Sequence, residues 1–418
     1  MKLIKTSLYT FFSTAVKLIS GLFINKAVAH FVGPSGLALI GQFHNFSQLV
    51  MTAAQGAINN GVVKYTAEYG KDSNRLPKLF STAFKISVAC SLFTGALIII
   101  FSRIASVEFL KTVEYAYVFV LFGITIIFFS LNGLLLSILN GLLEIKIFVT
   151  ANIIQSISSL FFTTGLIVWF GLHGALIAMV TNQSITFFIL LYLVRKHHLI
   201  AFGNFKERYD KTEAKKLFGY SVMVIVSATI TPISNLIVRD HLTEKLGLAQ
   251  AGYWQAMWYI SQMYLLVVTT TLSVYYLPKL SAITDRSLLR KEIFIGFKLL
   301  FPIVLVSTAS IYFLKDIVIR LLFTPDFAPI RQLFLFQLIG DVIKILAWLF
   351  SYLMLAKAMA KAYILTEIIF VSTFVILSTF LINRFGLVGA TYAYAFNYFL
   401  YLICLIFIFW KSILKTNA

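Results

Sequence analysis

Acidic residues are scarce in this chain: 16 Asp and Glu stand against 35 Lys and Arg among 418 residues. Charged residues of both signs make up only 12%, and 60% of the residues are hydrophobic. A soluble domain of this size could not hide that much apolar surface, so lipid has to be part of the solvent. There are two cysteines, Cys90 and Cys404, both inside apolar runs. That excludes a disulfide framework and any thiolate metal centre. The histidines show no ligand spacing. No phosphate loop of the G-x-x-x-x-G-K-S/T type is present, so the chain is not expected to hydrolyse ATP. H-E-x-x-H and G-x-S-x-G are missing too, and no acid cluster resembles a metal-dependent glycosyltransferase site. The expectation is a non-enzymatic protein without metal or cofactor.

What is present is apolar length. Mean hydropathy is +0.89, and phenylalanine alone contributes 41 residues. A helix needs about 20 residues to cross the hydrocarbon core. Spans are expected near 8–31, 37–62, 79–102, 114–139, 147–170, 173–194, 217–239, 251–277, 292–314, 329–355, 362–383 and 387–410. The first run is too long and too polar for a signal-peptide core and reads as a retained span. A net charge of +19 would indicate nucleic acid in a soluble protein. Here Lys and Arg cluster between apolar runs, which points to topology and anionic lipid, with no nucleic-acid partner. With the N-terminus inside, the basic excess falls on the inner side. Both termini are therefore expected in the cytoplasm, with Lys2 and Lys5 at one end and Lys411 and Lys415 at the other.

The chain repeats itself. Phe170-Gly171-Leu172-His173-Gly174-Ala175 returns as Phe385-Gly386-Leu387-Val388-Gly389-Ala390, and Asn182 then falls on Asn397. Lys146 and Phe148 fall on Lys361 and Tyr363. Each half holds six spans, and an even number gives both halves the same orientation, which is a parallel repeat. The expected fold class is an all-α polytopic membrane protein of about twelve helices in two six-helix lobes. The lobes are residues 1–200 and 217–418, with 201–216 as a charged cytoplasmic linker forming a helix on the membrane surface.

Polar groups facing lipid are costly, so they mark candidate sites. In the second span Asn45, Gln48, Thr52, Gln55 and Asn59 recur at steps of three and four and should share one helix face. The eighth span carries Gln255, Gln262 and Thr269 with Trp254 and Trp258 nearby, and the seventh carries Ser227, Thr231, Asn235 and Arg239 with Pro232 able to kink it. These groups either line a hydrated cleft or bond helix to helix. Lys17 lies mid-span in the first helix with no partner visible in sequence; Lys26 follows nine residues on and could snorkel outward. Asp341 and Lys344 lie mid-span in the tenth helix, three residues apart, where they can pair. Lys85, Lys298 and Glu367 lie near span ends and suit snorkelling. Arg239-Asp240-His241 ends the seventh span at the outer rim. Buried basic groups outnumber the one clear mid-membrane acid, which suits an anionic ligand.

Several segments carry a resemblance: Gly33-Pro34-x-Gly36-Leu37, Asn60-Gly61-Val62-Val63-Lys64-Tyr65, Trp254-Gln255, Tyr276-Leu277-Pro278-x-Leu280-Ser281, Gln337-Leu338-Ile339-Gly340-Asp341-Val342-Ile343-Lys344 and Ala356-Lys357-Ala358. Over roughly residues 1–410 the chain resembles the Wzx-type polysaccharide flippases, O-antigen translocases and enterobacterial common antigen lipid III flippases. They belong to the multidrug/oligosaccharidyl-lipid/polysaccharide exporter superfamily. The resemblance implies alternating access in a bacterial inner membrane and an undecaprenyl-pyrophosphate-linked oligosaccharide as cargo. It implies partners among membrane lipid and the polymerase and chain-length regulator of the pathway. Lys17, Lys26 and Lys344 become candidate diphosphate ligands. Asn45, Gln48, Gln55, Arg239, Gln255 and Gln262 become candidate contacts of the head group. Asp341 and Glu367 become candidates for ion coupling. An ion-coupled drug or metabolite antiporter, a membrane-embedded polymerase or glycosyltransferase, and a non-transporting scaffold are the competing readings.

Overall fold

The computed structural model describes residues 2–70, 74–200, 202–272, 276, 279–280, 283, 285–357 and 359–409. The side chains of Lys2, Lys5 and Ser227 lie outside what is described, as do residues Leu277, Pro278, Ser281, Ala358, Lys411 and Lys415. Fourteen α-helices are described: α1 Lys2–Phe31, α2 Gly33–Ala54, α3 Asn59–Tyr69, α4 Leu76–Ile100, α5 Ser102–Leu110, α6 Ala116–Gly141 and α7 Ile145–Val194. After two short 3₁₀ turns come α8 Lys211–Leu246, α9 Leu248–Thr271, α10 Arg286–Phe313, α11 Lys315–Leu322, α12 Phe334–Ala356, α13 Ala360–Phe385 and α14 Leu387–Phe409.

The chain is an all-α, multi-pass membrane protein. Eight described helices are long and apolar enough to cross a bilayer. One of them, α7, has 50 residues and breaks at Gly171, so it supplies two spans. With α2, α8 and α9, at 22, 36 and 24 residues, the total reaches about twelve. Large apolar side chains stand outward on these helices; Trp169 is 78% exposed and Phe313 82%. That is costly in water and favourable in hydrocarbon.

The chain forms two compact units, Met1–Val32 with Leu39–Ile233, and Gly33–Ala38 with Ser234–Ala418. The division falls inside α8 rather than in the charged connection. That connection forms no single surface helix. It folds as 3₁₀ turns at His198–Ile200 and Phe202–Phe205, and α8 begins at Lys211. The reason is packing onto α4: Phe205 stacks on Phe80, Ser81 Oγ donates to the carbonyls of Phe205 and Glu207, and Lys85 Nζ donates to the Glu207 carbonyl at 2.5 Å. Lys85 thus reaches the charged connection and is tethered to it. Asp210 accepts from the backbone N–H groups of Thr212 and Glu213 and starts α8.

The first unit is cored by Leu79 and Phe80 of α4, Leu134 and Ile138 of α6, and Leu190 of α7. In the second, α12 packs against α9, α10, α13 and α14 around Phe350, Leu353, Leu405 and Phe409. The internal repeat is visible in backbone geometry. Gly171 has φ 54°, ψ −127° and Gly386 φ 62°, ψ −142°, a region closed to side-chain-bearing residues. Three residues on, Gly174 lies against the Leu166 carbonyl and Gly389 against the equivalent Leu381 carbonyl. The third and ninth spans both end in a tight bend, Phe101 at φ −93°, ψ 13° and Leu314 at φ −92°, ψ 9°, each followed by a short helix, α5 or α11.

Candidate functional site

In the first unit the polar stripe is interrupted. Helix α2 ends at Ala54, and Gly56 and Ala57 take left-handed φ values of 60° and 51° before α3 starts at Asn59. The expected continuous helix over 37–62 is therefore a broken one, because two successive left-handed residues cannot continue a right-handed helix. Gly56 lies beside Ile86 and Cys90, about halfway along α4, so the break sits deep in the span. Broken backbone at that depth is tolerated only inside protein or beside a hydrated cavity. Its backbone groups find local partners: Gly56 N–H donates to the Ala53 carbonyl at 2.9 Å, Ala57 N–H to the Thr52 carbonyl at 3.1 Å, and Ser130 Oγ to the Ala54 carbonyl at 3.2 Å, while the side chains of Asn59 and Gln55 bond each other at 2.8 Å.

Asn45, Gln48 and Thr52 remain on α2. Asn45 is buried, and its Nδ2 has no hydrogen-bond partner among the described residues. Gln48 is exposed and bonded to His44 at 3.0 Å, while Thr52 Oγ1 donates back to the Gln48 carbonyl. On α1, Lys17 is exposed and Lys26 half-buried. Phe12, Ile19 and Phe23 form an outward apolar stripe on α1. Lys17 lies about 140° round the helix from Phe12, on the side of Thr14 and Gly21. No hydrogen bond or ion pair engages Lys17 among the described residues.

The second unit holds a built polar centre on α12. Asp341 is fully buried and accepts three hydroxyl hydrogen bonds. Ser261 Oγ and the Tyr264 hydroxyl, both on α9, donate to Oδ2, the former at 2.7 Å. The Tyr394 hydroxyl of α14 donates to Oδ1 at 2.7 Å. Lys344 is 7% exposed and makes no ion pair with Asp341. Its ammonium sits among four rings, 4.9 Å from Trp348, 5.0 Å from Tyr398, 5.3 Å from Trp258 and 5.4 Å from Tyr394. The two charges act on each other electrostatically without a direct ion pair, and each has further partners of its own. Hydroxyl dipoles stabilise the carboxylate, and the negative faces of the rings stabilise the ammonium. Glu367, half-buried on α13, also acts electrostatically on Lys344.

Arg239 is a buried guanidinium. It is 3% exposed within α8, donates to Gln255 Oε1 and lies 5.4 Å from the Trp254 ring. Gln255 is thereby engaged, whereas Gln262, two turns along α9, is exposed. Trp254, Trp258 and Tyr394 follow one another with ring centroids 5.8 Å and 5.6 Å apart, linking Arg239 to the Asp341–Lys344 centre. Gln337, one turn before Asp341, is fully buried with neither side-chain amide atom bonded among the described residues. Reading the sequence for charge missed Ser261, Tyr264, Trp348, Tyr394 and Tyr398. A signal was there: hydroxyls at i, i+3 in Ser261 and Tyr264, and tyrosines at 394, 398 and 401 along one face of α14.

The whole chain has curated relatives. It is 27% identical over 419 residues to the lipid III flippase of Escherichia coli K12, covering 98% of this chain and 99% of that protein. The same figures hold for the lipid III flippase of Shigella flexneri. Among solved structures, an inward-facing multidrug resistance MATE family transporter of the MOP superfamily matches with TM-score 0.77 at 15% identity, covering 96% of each chain. Lipid II flippase MurJ in an inward closed conformation matches with TM-score 0.74 at 19% identity, covering 97% of this chain and 87% of that one. The fold of those transporters is therefore the fold of this chain. Residues 3–284 match the polysaccharide biosynthesis protein family, and the chain belongs to that family.

Proposed function

We propose that this protein is a flippase that carries an undecaprenyl-pyrophosphate-linked oligosaccharide from the cytoplasmic to the periplasmic leaflet of a bacterial inner membrane. Full-length similarity to proteins named lipid III flippase and the shared fold of MurJ support the cargo class. The observation that carries the reading is Lys17. Its ammonium lies midway along a membrane helix, on the face turned from the outward apolar stripe, and no described residue neutralises it. An ammonium facing hydrocarbon costs about 2.5–3.5 kcal/mol on insertion scales, so that face is assigned to water and an anionic ligand. The diphosphate supplies the anion, and Lys26 assists.

Asn45, Gln48 and the break at Gln55–Asn59 offer amides to the sugar, as does Gln262 on the exposed face of α9. Arg239 and Gln255 hold each other beside the Trp254 ring. Lys344, caged by rings, and Asp341 form a charge centre whose rearrangement accompanies turnover, with Glu367 as a third member. Alternating access by rocking of 1–200 against 217–410, cytoplasmic termini, and contact with a polymerase and a chain-length regulator complete the proposal.

Lys17→Ala should abolish restoration of surface polysaccharide in a flippase-null strain at matched membrane levels, and Lys17→Arg should retain it. Full restoration by the alanine variant refutes the assignment. A second reading, an ion-coupled antiporter, draws on the burial of Asp341 among three hydroxyls. It requires efflux of small molecules and no movement of labelled lipid-linked sugar in proteoliposomes.

A further inference from the structure

A second feature lies in the first unit, and its lining includes neither Lys17 nor the residues of the break after α2. A cavity of about 400 Å³ opens between α4, α6, α7 and the 3₁₀ segment. Its walls are apolar: Phe84, Leu131, Phe187, Leu191 and Phe205 line it, and the one charged residue among its lining is Arg195. The volume falls within the range of small-molecule sites, and the lining suits an acyl chain and little else. Arg195 is exposed where α7 ends, with its guanidinium 3.8 Å from the Tyr192 ring. Stacking holds the guanidinium flat and leaves N–H donors free for a phosphate oxygen. Lys85, next to Phe84, is tied to the Glu207 carbonyl, and Lys196 follows Arg195. The slot is thus a greasy pocket with a basic mouth, at the end of the membrane that carries the basic connection.

We propose that this slot holds one acyl chain of an anionic phospholipid, with its phosphate on Arg195, as a resident lipid that staples the 3₁₀ segment to α4 and α7. Charge complementarity commits the occupant: a zwitterionic lipid gains the apolar contacts but not the net attraction. The inference rests on membrane embedding alone and stands apart from the transport reading.

The test uses the full chain in vesicles of phosphatidylethanolamine doped with phosphatidylglycerol bearing a photoactivatable acyl chain. Crosslinks to phosphatidylglycerol should map to α6, α7 and the 3₁₀ segment around Leu131, Leu191 and Phe205. Arg195→Gln should cut that labelling about five-fold, the factor that one basic residue contributes at an anionic lipid surface, and Arg195→Lys should restore most of it. Leu191→Trp, at an exposed wall position, should exclude the chain while the mouth stays intact. Equal labelling by a photoactivatable phosphatidylethanolamine overturns the proposal in favour of ordinary lipid contact. Displacement of the phosphatidylglycerol probe by equimolar undecaprenyl phosphate also overturns it, because the slot would then belong to the carrier lipid.

Discussion

Asp341 offers the sharpest quantitative prediction. Its carboxylate accepts from Ser261, Tyr264 and Tyr394, which come from two different helices, α9 and α14. Asp341→Ala orphans all three hydroxyls at once. Side-chain hydrogen bonds between membrane helices average about 0.6 kcal/mol each, which sets a floor of about 2 kcal/mol. Bonds to a charged acceptor are worth about 1.5–3 kcal/mol each, which sets a ceiling several times higher. The three donors share one acceptor, and removing it also takes a counter-charge from near Lys344. The expected loss is therefore about 3–5 kcal/mol, the range for breaking a buried charge arrangement. Asp341→Asn should cost only about 1–2 kcal/mol. Its amide oxygen can face Ser261 and Tyr264, and its NH₂ can donate to the Tyr394 hydroxyl, which then reverses its role. Thermal unfolding of the detergent-purified variants, read by intrinsic tryptophan fluorescence, measures both. An alanine variant within about 0.5 kcal/mol of the parent, or an asparagine variant as unstable as the alanine one, would refute the three-donor account.

Gly174→Ala and Gly389→Ala should each cost about 1–3 kcal/mol and by similar amounts, because each new methyl meets a backbone carbonyl at the equivalent place in the repeat; thermal melts of the two variants check this. Outside the membrane-spanning segments, Lys216 donates to the Tyr69 hydroxyl at 2.6 Å and to Glu213 at 3.1 Å, and these bonds hold its ammonium above the ordinary lysine range. A raised value contributes stability that is complete below the ordinary lysine pKa and is lost as pH rises through the folded one. Lys216→Met should therefore destabilise by about 0.5–1 kcal/mol at neutral pH, the difference closing in strong alkali. Asp210 is held below the ordinary carboxylate range by the N–H groups of Glu213 and Thr212. Its contribution is present above the ordinary value and lost as pH falls through the depressed one, so Asp210→Ala and the parent should melt alike only in strong acid.

Much of this protein was legible in one dimension. Membrane embedding follows from hydropathy alone, because no soluble core accommodates such a sequence. The repeat was readable at Gly171 and Gly386, since a backbone region closed to side chains demands the same residue in both halves. The mid-span position of Lys17 was equally plain in the sequence. The break in α2 was half legible: Gly56 was there to see, but five polar residues in register outweighed it.

What only the tertiary structure decided is who answers each buried charge. Helical period placed Asp341 and Lys344 on one face and made a local pair the natural expectation. Packing instead brought donors 80, 77 and 53 residues away to the carboxylate. Hydroxyls and aromatic rings carry no net charge and look like ordinary span residues in a linear reading. Their dipoles and quadrupoles count only once packing aims them, and the low dielectric of a helix bundle makes that aim decisive.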